Sequence, residues 1–244
     1  MIYNRPESWM KKGDPFLTFS SPNNFTLKQH NTSKYWDGTL EYSTDKNTWN
    51  PWTGGTLTSA SSGGQYILYM RGTGNTKIAG NSSKYRWVLT GSDIACIGNI
   101  ENLLDYATVK SGAHPTMADH CYHYMFYNCT SLTQAPALPA TTLTPYCYYY
   151  MFYNCTSLTQ APTLPATTLA NYCYSSMFRG CSKIKLSTTQ TGEYTQEYRI
   201  PSSGTGKTAT YALTDMFAST GGTFTGTPEI NTTYYLSNTN TVVG

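Results

Sequence analysis

Short runs of alternating apolar and polar residues occupy the first third of the chain. The runs at 16–19, 66–70 and 85–89 are separated by Gly, Asn, Asp and Ser. Successive side chains of a β-strand point to opposite faces of the sheet, so this alternation predicts strands with one buried face. Their close spacing is typical of a small antiparallel sandwich. We therefore expect an Ig-like β-sandwich over residues 15–92, preceded by an N-terminal arm at 1–14.

A second pattern follows, because a segment of the chain copies itself. Residues 121–146 and 147–172 differ at only 4 of 26 positions, and a third, partial copy begins at Cys173. Self-similarity at a period between about 20 and 50 residues indicates a solenoid, in which each unit buries its apolar side against its neighbours. We assign residues 93–244 to such an array.

Apolar positions within one copy have a spacing that favours a helix. Leu143, Cys147 and Met151 lie at i, i+4 and i+8, which places them on one helical face. Asn154, and Gly180 in the third copy, tolerate the left-handed conformation that ends a helix. A short strand at 157–160 would follow. The predicted fold class is therefore α+β, with an Ig-like β-sandwich before a short leucine-rich-repeat-like solenoid of 26-residue units.

The segment 187–209 interrupts this array with a Thr-, Ser- and Gly-rich insertion. Insertions between repeats usually project from one side of the array, often the functional side. Two interpretations stay open: a mobile functional excursion, or a disordered linker without a role.

The amino-acid composition excludes several classes of function. Charged residues make up 12% of the chain, against roughly 25% in a typical soluble domain. The net charge is only +3, and without a dense basic stripe we expect no nucleic-acid partner. No run of apolar residues is long enough to span a membrane, and the N-terminal residues do not have the pattern of a secretory signal.

The repeated string MF-x-x-C-x-S-L-T-x-A-P-x-L-P-A-T-T-L resembles the BspA-like leucine-rich repeats of bacterial and phage surface proteins. The preceding segment YSTDKNTW…GQYILYMRG is similar, more weakly, to the small β-domain often placed before such repeats. The resemblance implies a surface role in adhesion or recognition. It brings no catalytic residues with it.

Six of the seven cysteines recur with the repeat, in pairs eight residues apart. They are Cys121 and Cys129, Cys147 and Cys155, and Cys173 and Cys181. Zinc sites usually use closer pairs, so we predict no metal and no cofactor. We favour a structural ladder of buried free thiols, which behave as small apolar residues. Disulfides within each repeat are the alternative.

Twenty-two tyrosines are the most distinctive candidates for chemistry. Tyr provides a large contact area and a polar tip at low entropic cost, which suits recognition surfaces. Tyr149 is the best candidate for an outward ring, because its counterparts in the other copies, His123 and Ser175, are polar. The candidate binding surface comprises Tyr122, His123, Tyr124, Tyr148, Tyr149, Tyr150, Tyr174 and Trp52. Packing between copies is the alternative role for the tyrosines, and a place in the sandwich core is the alternative for Trp52.

No nucleophile elbow, paired-histidine motif or carboxylate pair that indicates catalysis can be assembled from the sequence. We therefore predict a protein that is not an enzyme. The hypothesis is a phage virion appendage, such as a head or tail fibre component, that binds host-surface or virion proteins, with surface glycans as further candidate partners. Assembly as a homo-oligomer, favouring a trimer, fits a fibre protein. The alternatives are a bacterial cell-surface adhesin and a carbohydrate-binding accessory module.

Overall fold

The computed structural model of the protein describes residues 14–31 and 34–244. The expected N-terminal arm lies outside this part of the chain, apart from Asp14. Sixteen strands in four sheets and a single α-helix, α1 (Asn102–Lys110), make up the regular structure of the described residues. The strands before α1 are β1 (Leu17–Ser21), β2 (Thr26–Gln29), β3 (Thr39–Ser43), β4 (Asn50–Pro51), β5 (Leu57–Thr58), β6 (Ala60–Ser62), β7 (Gln65–Thr73), β8 (Trp87–Thr90) and β9 (Ile94–Ile97). Those after it are β10 (Leu132–Gln134), β11 (Gln160–Pro162), β12 (Lys185–Ser187), β13 (Tyr194–Arg199), β14 (Gly221–Gly222), β15 (Thr233–Ser237) and β16 (Thr241–Val243).

The largest sheet has the order β10-β9-β1-β7-β3-β4, with β6 on β7. Its central strand β1 is buried along its whole length, because β7 and β9 flank it in antiparallel pairing. A three-stranded sheet, β5-β2-β8, lies beside it. Trp52 stacks on Trp36 with ring centroids 4.9 Å apart and meets the edge of Trp87 at 5.2 Å. These three indoles form a buried aromatic centre for the N-terminal part of the fold.

The helix α1 packs directly on β7. A Cβ atom at Gly72 would collide with the carbonyl of Leu103, so only glycine allows this close approach. The apolar core then continues without interruption from the sheets into the repeats, and β10 of the first copy pairs in parallel with β9.

The repeated copies consist of consecutive turns, not helices. Every fourth residue has a positive φ, as at His120 (61°), Tyr124 (60°) and Asn128 (60°). An α-helix requires φ near −63° at every position. The same register returns at Tyr146, Tyr150 and Asn154, at Tyr172, Ser176 and Gly180, and at Tyr211, Asp215 and Ser219.

Backbone hydrogen bonds alternate between a copy and its neighbour. The N–H of Met125 donates to the carbonyl of Tyr122 in its own copy at 3.1 Å, whereas the N–H of Phe126 donates to Met151 in the next copy at 2.9 Å. In each four-residue turn, half of the backbone N–H groups thus donate within their own copy and half donate to the neighbouring copy. The non-glycine left-handed residues cost about 1–2 kcal/mol each, and these inter-copy bonds and the packing beneath them offset that cost.

Equivalent side chains of successive copies therefore lie directly over one another in the interior. A phenylalanine column runs through Phe126, Phe152, Phe178 and Phe217, with centroid separations of 5.7, 5.6 and 5.5 Å. A buried tyrosine column, comprising Tyr122, Tyr148 and Tyr174, stacks beside it at 5.4 and 5.7 Å. Fully buried aromatic rings are the main source of stability in such a stack.

The predicted α+β fold, with an Ig-like β-sandwich followed by a leucine-rich-repeat-like solenoid, is wrong. The described residues are mostly β-structure in several small sheets, none of them closed or solenoid-like, and the predicted helices of the 26-residue units are replaced by turns. The spacing of Leu143, Cys147 and Met151 reflects a four-residue turn period rather than the 3.6-residue period of a helix. Asn154 (56°) and Gly180 (77°) do have positive φ, but they belong to the recurring turns and do not end the predicted helices.

The insertion at 187–209 is incorporated into a sheet. Its strand β13 pairs antiparallel with β15, and β12 and β14 complete a four-stranded sheet of order β13-β15-β12-β14. The C-terminal strand β16 pairs in parallel with β11. Asn240 ties this end of the chain to two copies, since its Nδ2 donates to the carbonyls of Thr159 at 2.9 Å and Lys183 at 2.8 Å.

Within residues 14–31 and 34–244, no helix has the length and apolar character that a membrane-spanning helix needs.

Candidate functional site: an aromatic face on the stacked turns

The four-residue turns of the second copy each place two side chains inwards and two outwards. In the second copy, Cys147 and Tyr148 are buried while Tyr149 and Tyr150 are partly exposed. The next turn repeats this division. The outward positions of the first two copies are therefore the place where side chains of the stack can meet a partner.

Five outward tyrosines form a compact group, which we call the tyrosine face: Tyr124, Tyr127, Tyr149, Tyr150 and Tyr153. Tyr124 stacks on Tyr150 at 5.1 Å with an interplanar angle of 6°, and Tyr127 stacks on Tyr153 at 4.8 Å and 9°. Neighbouring rings of the same copy meet edge to face, at 5.2 Å in the first copy and 5.3 Å in the second. Both arrangements are favourable for aromatic quadrupoles, so the rings hold each other in fixed positions.

An edge column of rings lies beside the tyrosine face. His120, Tyr146, Tyr172 and Tyr211 follow one another at 4.7, 4.7 and 5.0 Å. All four occupy left-handed turn positions. Tyr211 ends the column and is 58% exposed, so much of its ring remains open to solvent.

The tyrosine face ends where the third and fourth copies begin. Ser176 and Asp215 occupy the positions of Tyr124 and Tyr150, and Arg179 occupies the position of Tyr127 and Tyr153. Arg179 donates from Nη1 to Oδ2 of Asp215 at 2.9 Å. An aromatic surface is thus bounded on this side by an exposed ion pair.

The face carries hydroxyl groups and no formal charge at neutral pH. Burial raises the pKa of Tyr149, and a hydrogen bond with Tyr150 raises it further. The pKa of Tyr124 is also raised, first by burial and then by the neighbouring phenols. The hydroxyls of Tyr124 and Tyr149 therefore remain protonated and can both donate and accept hydrogen bonds.

Two histidines adjoin the face at the first copy. Nδ1 of His120 lies 2.9 Å from Nδ1 of His123. Burial lowers the pKa of His123 to about 3, with a smaller contribution from His120. His123 is therefore neutral at physiological pH, and it meets the edge of Tyr149 at 4.8 Å.

The structure divides the sequence-predicted surface into two groups. Tyr124, Tyr149 and Tyr150 lie together on the tyrosine face. The other predicted residues are buried: Tyr122, Tyr148 and Tyr174 in the buried tyrosine column, His123 with 4% exposure, and Trp52 in the buried aromatic centre. These buried side chains cannot contact a partner in this structure.

Several outward residues were not among the predicted set, namely Tyr127, Tyr153, Tyr146, Tyr172 and Tyr211. One signal in the sequence could have identified them. Small or apolar positions and aromatic positions recur every four residues. This period differs little from the helical period over a segment this short.

The cysteines of the repeat lie in the interior as free thiols, as does Cys96. Sγ of Cys155 donates to the carbonyl of Phe126 at 3.1 Å, and Sγ of Cys181 to that of Phe152 at 3.0 Å. Burial raises the pKa of Cys129, Cys173 and Cys181 to about 12. A thiol that stays protonated is a poor nucleophile and metal ligand, so these groups act in packing and backbone capping.

In the described part of the chain, no group of three or more His, Cys, Asp or Glu side chains could hold a metal ion. Comparison of the chain with protein families, characterised proteins and solved structures yields no match, so its resemblance to BspA-like repeats stays a prediction.

Proposed function

We propose that this chain is a non-enzymatic recognition protein that binds its partners through the tyrosine face. The observation that supports this most is the rigid arrangement of the five outward tyrosines, each held by ring contacts with its neighbours. Ordering side chains on binding costs about 0.5–1.5 kcal/mol for each immobilised residue. Rings that are fixed beforehand avoid much of that cost, as in recognition loops rich in tyrosine.

The change along the stack also favours a recognition role. Packing alone would be served by the same residue in every copy, yet further along the aromatic positions hold Arg179, Asp215 and the buried Ser176. A bounded aromatic patch with a polar margin is the usual composition of a binding surface.

The proposed setting is a virion appendage, such as a head or tail fibre component, with a bacterial cell-surface adhesin as the alternative. The low content of charged residues and the hydroxyl-rich surface support an extracellular surface protein. Mass spectrometry of purified particles would test the setting: the virion proposal predicts the chain in the particles, and its presence only in the bacterial envelope would favour the adhesin. Light scattering of the full chain tests the trimer that a fibre component is expected to form.

Tyr211 favours a surface glycan as one class of ligand. Its ring contacts that of Tyr172 at a tilt of 35° and is 58% exposed, which leaves room for the apolar side of a sugar ring. The surrounding tyrosine hydroxyls could bond to sugar hydroxyls.

Binding of the labelled full chain to intact bacterial strains and to a glycan array tests the recognition role. The double variant Tyr124→Ser/Tyr150→Ser uses the residue that already occupies this turn position at Ser176, so the turn should persist. We expect binding to weaken by at least about tenfold, as for central aromatic residues of interfaces.

Tyr148→Phe provides the matched control, because it changes a tyrosine that is 0% exposed in the same copy. It should bind like the unchanged chain. Undiminished binding by the double variant, or absence of binding by the unchanged chain to every strain and glycan, would contradict the proposal.

A further inference from the structure

A cavity of about 290 Å³ lies between the start of α1 and the junction of the first two copies. Its walls come from Glu101, from the segment 114–117 and from the segment 140–144. Threonine hydroxyls and the side chain of Met117 line much of it. This volume is at or just below the lower end of the range for small-molecule pockets, roughly 300–1,000 Å³, so its ligand must be small.

The carboxyl group of Glu101 lies at this cavity although its side chain is only 2% exposed. Both of its oxygens face Nδ1 of His114, at 3.0 and 2.8 Å. Burial raises the pKa of Glu101, and the contact with His114 opposes that shift. Burying a carboxylate costs free energy that apolar residues of the same size would not, so packing alone does not explain why one occupies this position.

His114 differs from its partner, because 45% of its side chain is exposed. It covers the carboxylate from the solvent side. Of the residues that line the cavity, His114 is the one that can carry a positive charge. Once it moves away, the buried carboxylate must either pair with another cation or take up a proton.

We propose that this cavity binds a small ligand with a primary ammonium group, which replaces His114 against Glu101. The ammonium would donate charge-assisted hydrogen bonds to the two carboxylate oxygens. Hydroxyl groups of Thr116 and Thr142 would bond to polar groups on the rest of the ligand. The hydroxyl of Thr144 donates to the carbonyl of Ala118 at 2.9 Å and could only accept from the ligand. Amino alcohols and small amino sugars have this combination. The proposal does not depend on the tyrosine face.

Titration of the full chain with ethanolamine, followed by NMR of the Met117 methyl group, tests the proposal. We expect saturable shifts of this signal in the millimolar range, because a ligand of so few atoms cannot bind much more tightly. Ethylene glycol, which has a hydroxyl in place of the ammonium, should bind at least about tenfold more weakly.

Two variants separate a ligand site from a structural ion pair. Glu101→Gln keeps the size of the side chain and should weaken ethanolamine binding by at least about tenfold. His114→Ala removes the competing imidazole and should tighten binding several-fold. Glu193→Gln, an exposed site with the same change in charge, should leave binding unchanged.

Thermal unfolding of each variant verifies that it is folded. If Glu101→Gln does not fold, ethanolamine binding by His114→Ala tests the proposal instead. No shift at Met117, an equal response to ethylene glycol, unaltered binding by folded Glu101→Gln, or weaker binding by His114→Ala would each overturn the proposal.

Discussion

The phenylalanine column and the tyrosine face run through the same turns but have different sequences along the stack. The interior keeps one residue type at Phe126, Phe152, Phe178 and Phe217. The positions of the partly exposed Tyr124 and Tyr150 change to a buried serine, Ser176, and then to Asp215 over the same four copies.

This difference distinguishes the positions that packing fixes from those that a partner could fix. A buried ring must match the rings above and below it, so a change at one copy leaves a cavity. The outward rings also contact one another between copies, but they are retained over only two copies, which the proposed recognition role would explain.

The largest expected effect is on the phenylalanine column. Phe152→Ala should lower the free energy of unfolding by about 3–5 kcal/mol, because it removes a fully buried ring from the middle of the stack. Tyr150→Ser, two residues away, should cost only roughly 1 kcal/mol through lost ring contacts. Urea unfolding of both variants measures the difference, and equal losses would remove the distinction between inside and outside.

A smaller effect, expected at acidic pH, concerns His123, which is neutral and buried in the fold. Its pKa is lowered from 6.5 to about 3, so the folded chain binds fewer protons than the unfolded chain between these values. Stability is therefore lost as the pH falls through this range, by roughly 3 kcal/mol from pH 7 to pH 4 for this group.

His123→Tyr places the residue of the second copy at the first and should remove that part of the pH dependence. Urea unfolding at several pH values gives the slope. If the variant and the unchanged chain lose stability equally between pH 7 and pH 4, burial of His123 does not govern the acid response.

A still smaller effect compares two hydroxyls inside the buried tyrosine column. Tyr148 Oη has no hydrogen-bond partner among the described residues, whereas Tyr122 Oη donates to the carbonyl of Ile100 at 3.3 Å. Tyr148→Phe should raise the free energy of unfolding by about 1 kcal/mol, and Tyr122→Phe should lower it by about as much. Thermal melts give the signs. If both variants changed the free energy of unfolding in the same direction, the two hydroxyls would not differ in hydrogen bonding.

The sequence predicted some of this structure and missed its central element. The runs at 16–19, 66–70 and 85–89 overlap strands β1, β7 and β8, although β1 is buried on both faces and not on one as expected. Copies with the same residues do lie side by side. The turns were mistaken for helices, because apolar residues four apart fit both periods over eight residues.

The candidate site was predictable only in part. Three adjacent tyrosines at 148–150 required at least one outward ring, and Tyr149 and Tyr150 are partly exposed. Which further rings join them depends on inter-copy hydrogen bonds such as Phe126 to Met151. These bonds fix the register between copies, and a single copy carries no information about them.

Hydroxyl-radical footprinting, with and without a bacterial strain that the full chain binds, tests the role of the tyrosine face most directly. We predict that binding protects Tyr124, Tyr127, Tyr149, Tyr150 and Tyr153 from oxidation and leaves partly exposed Tyr35 and Tyr85, in the N-terminal part of the chain, as reactive as before. Unchanged oxidation of the five tyrosines on binding would contradict the account.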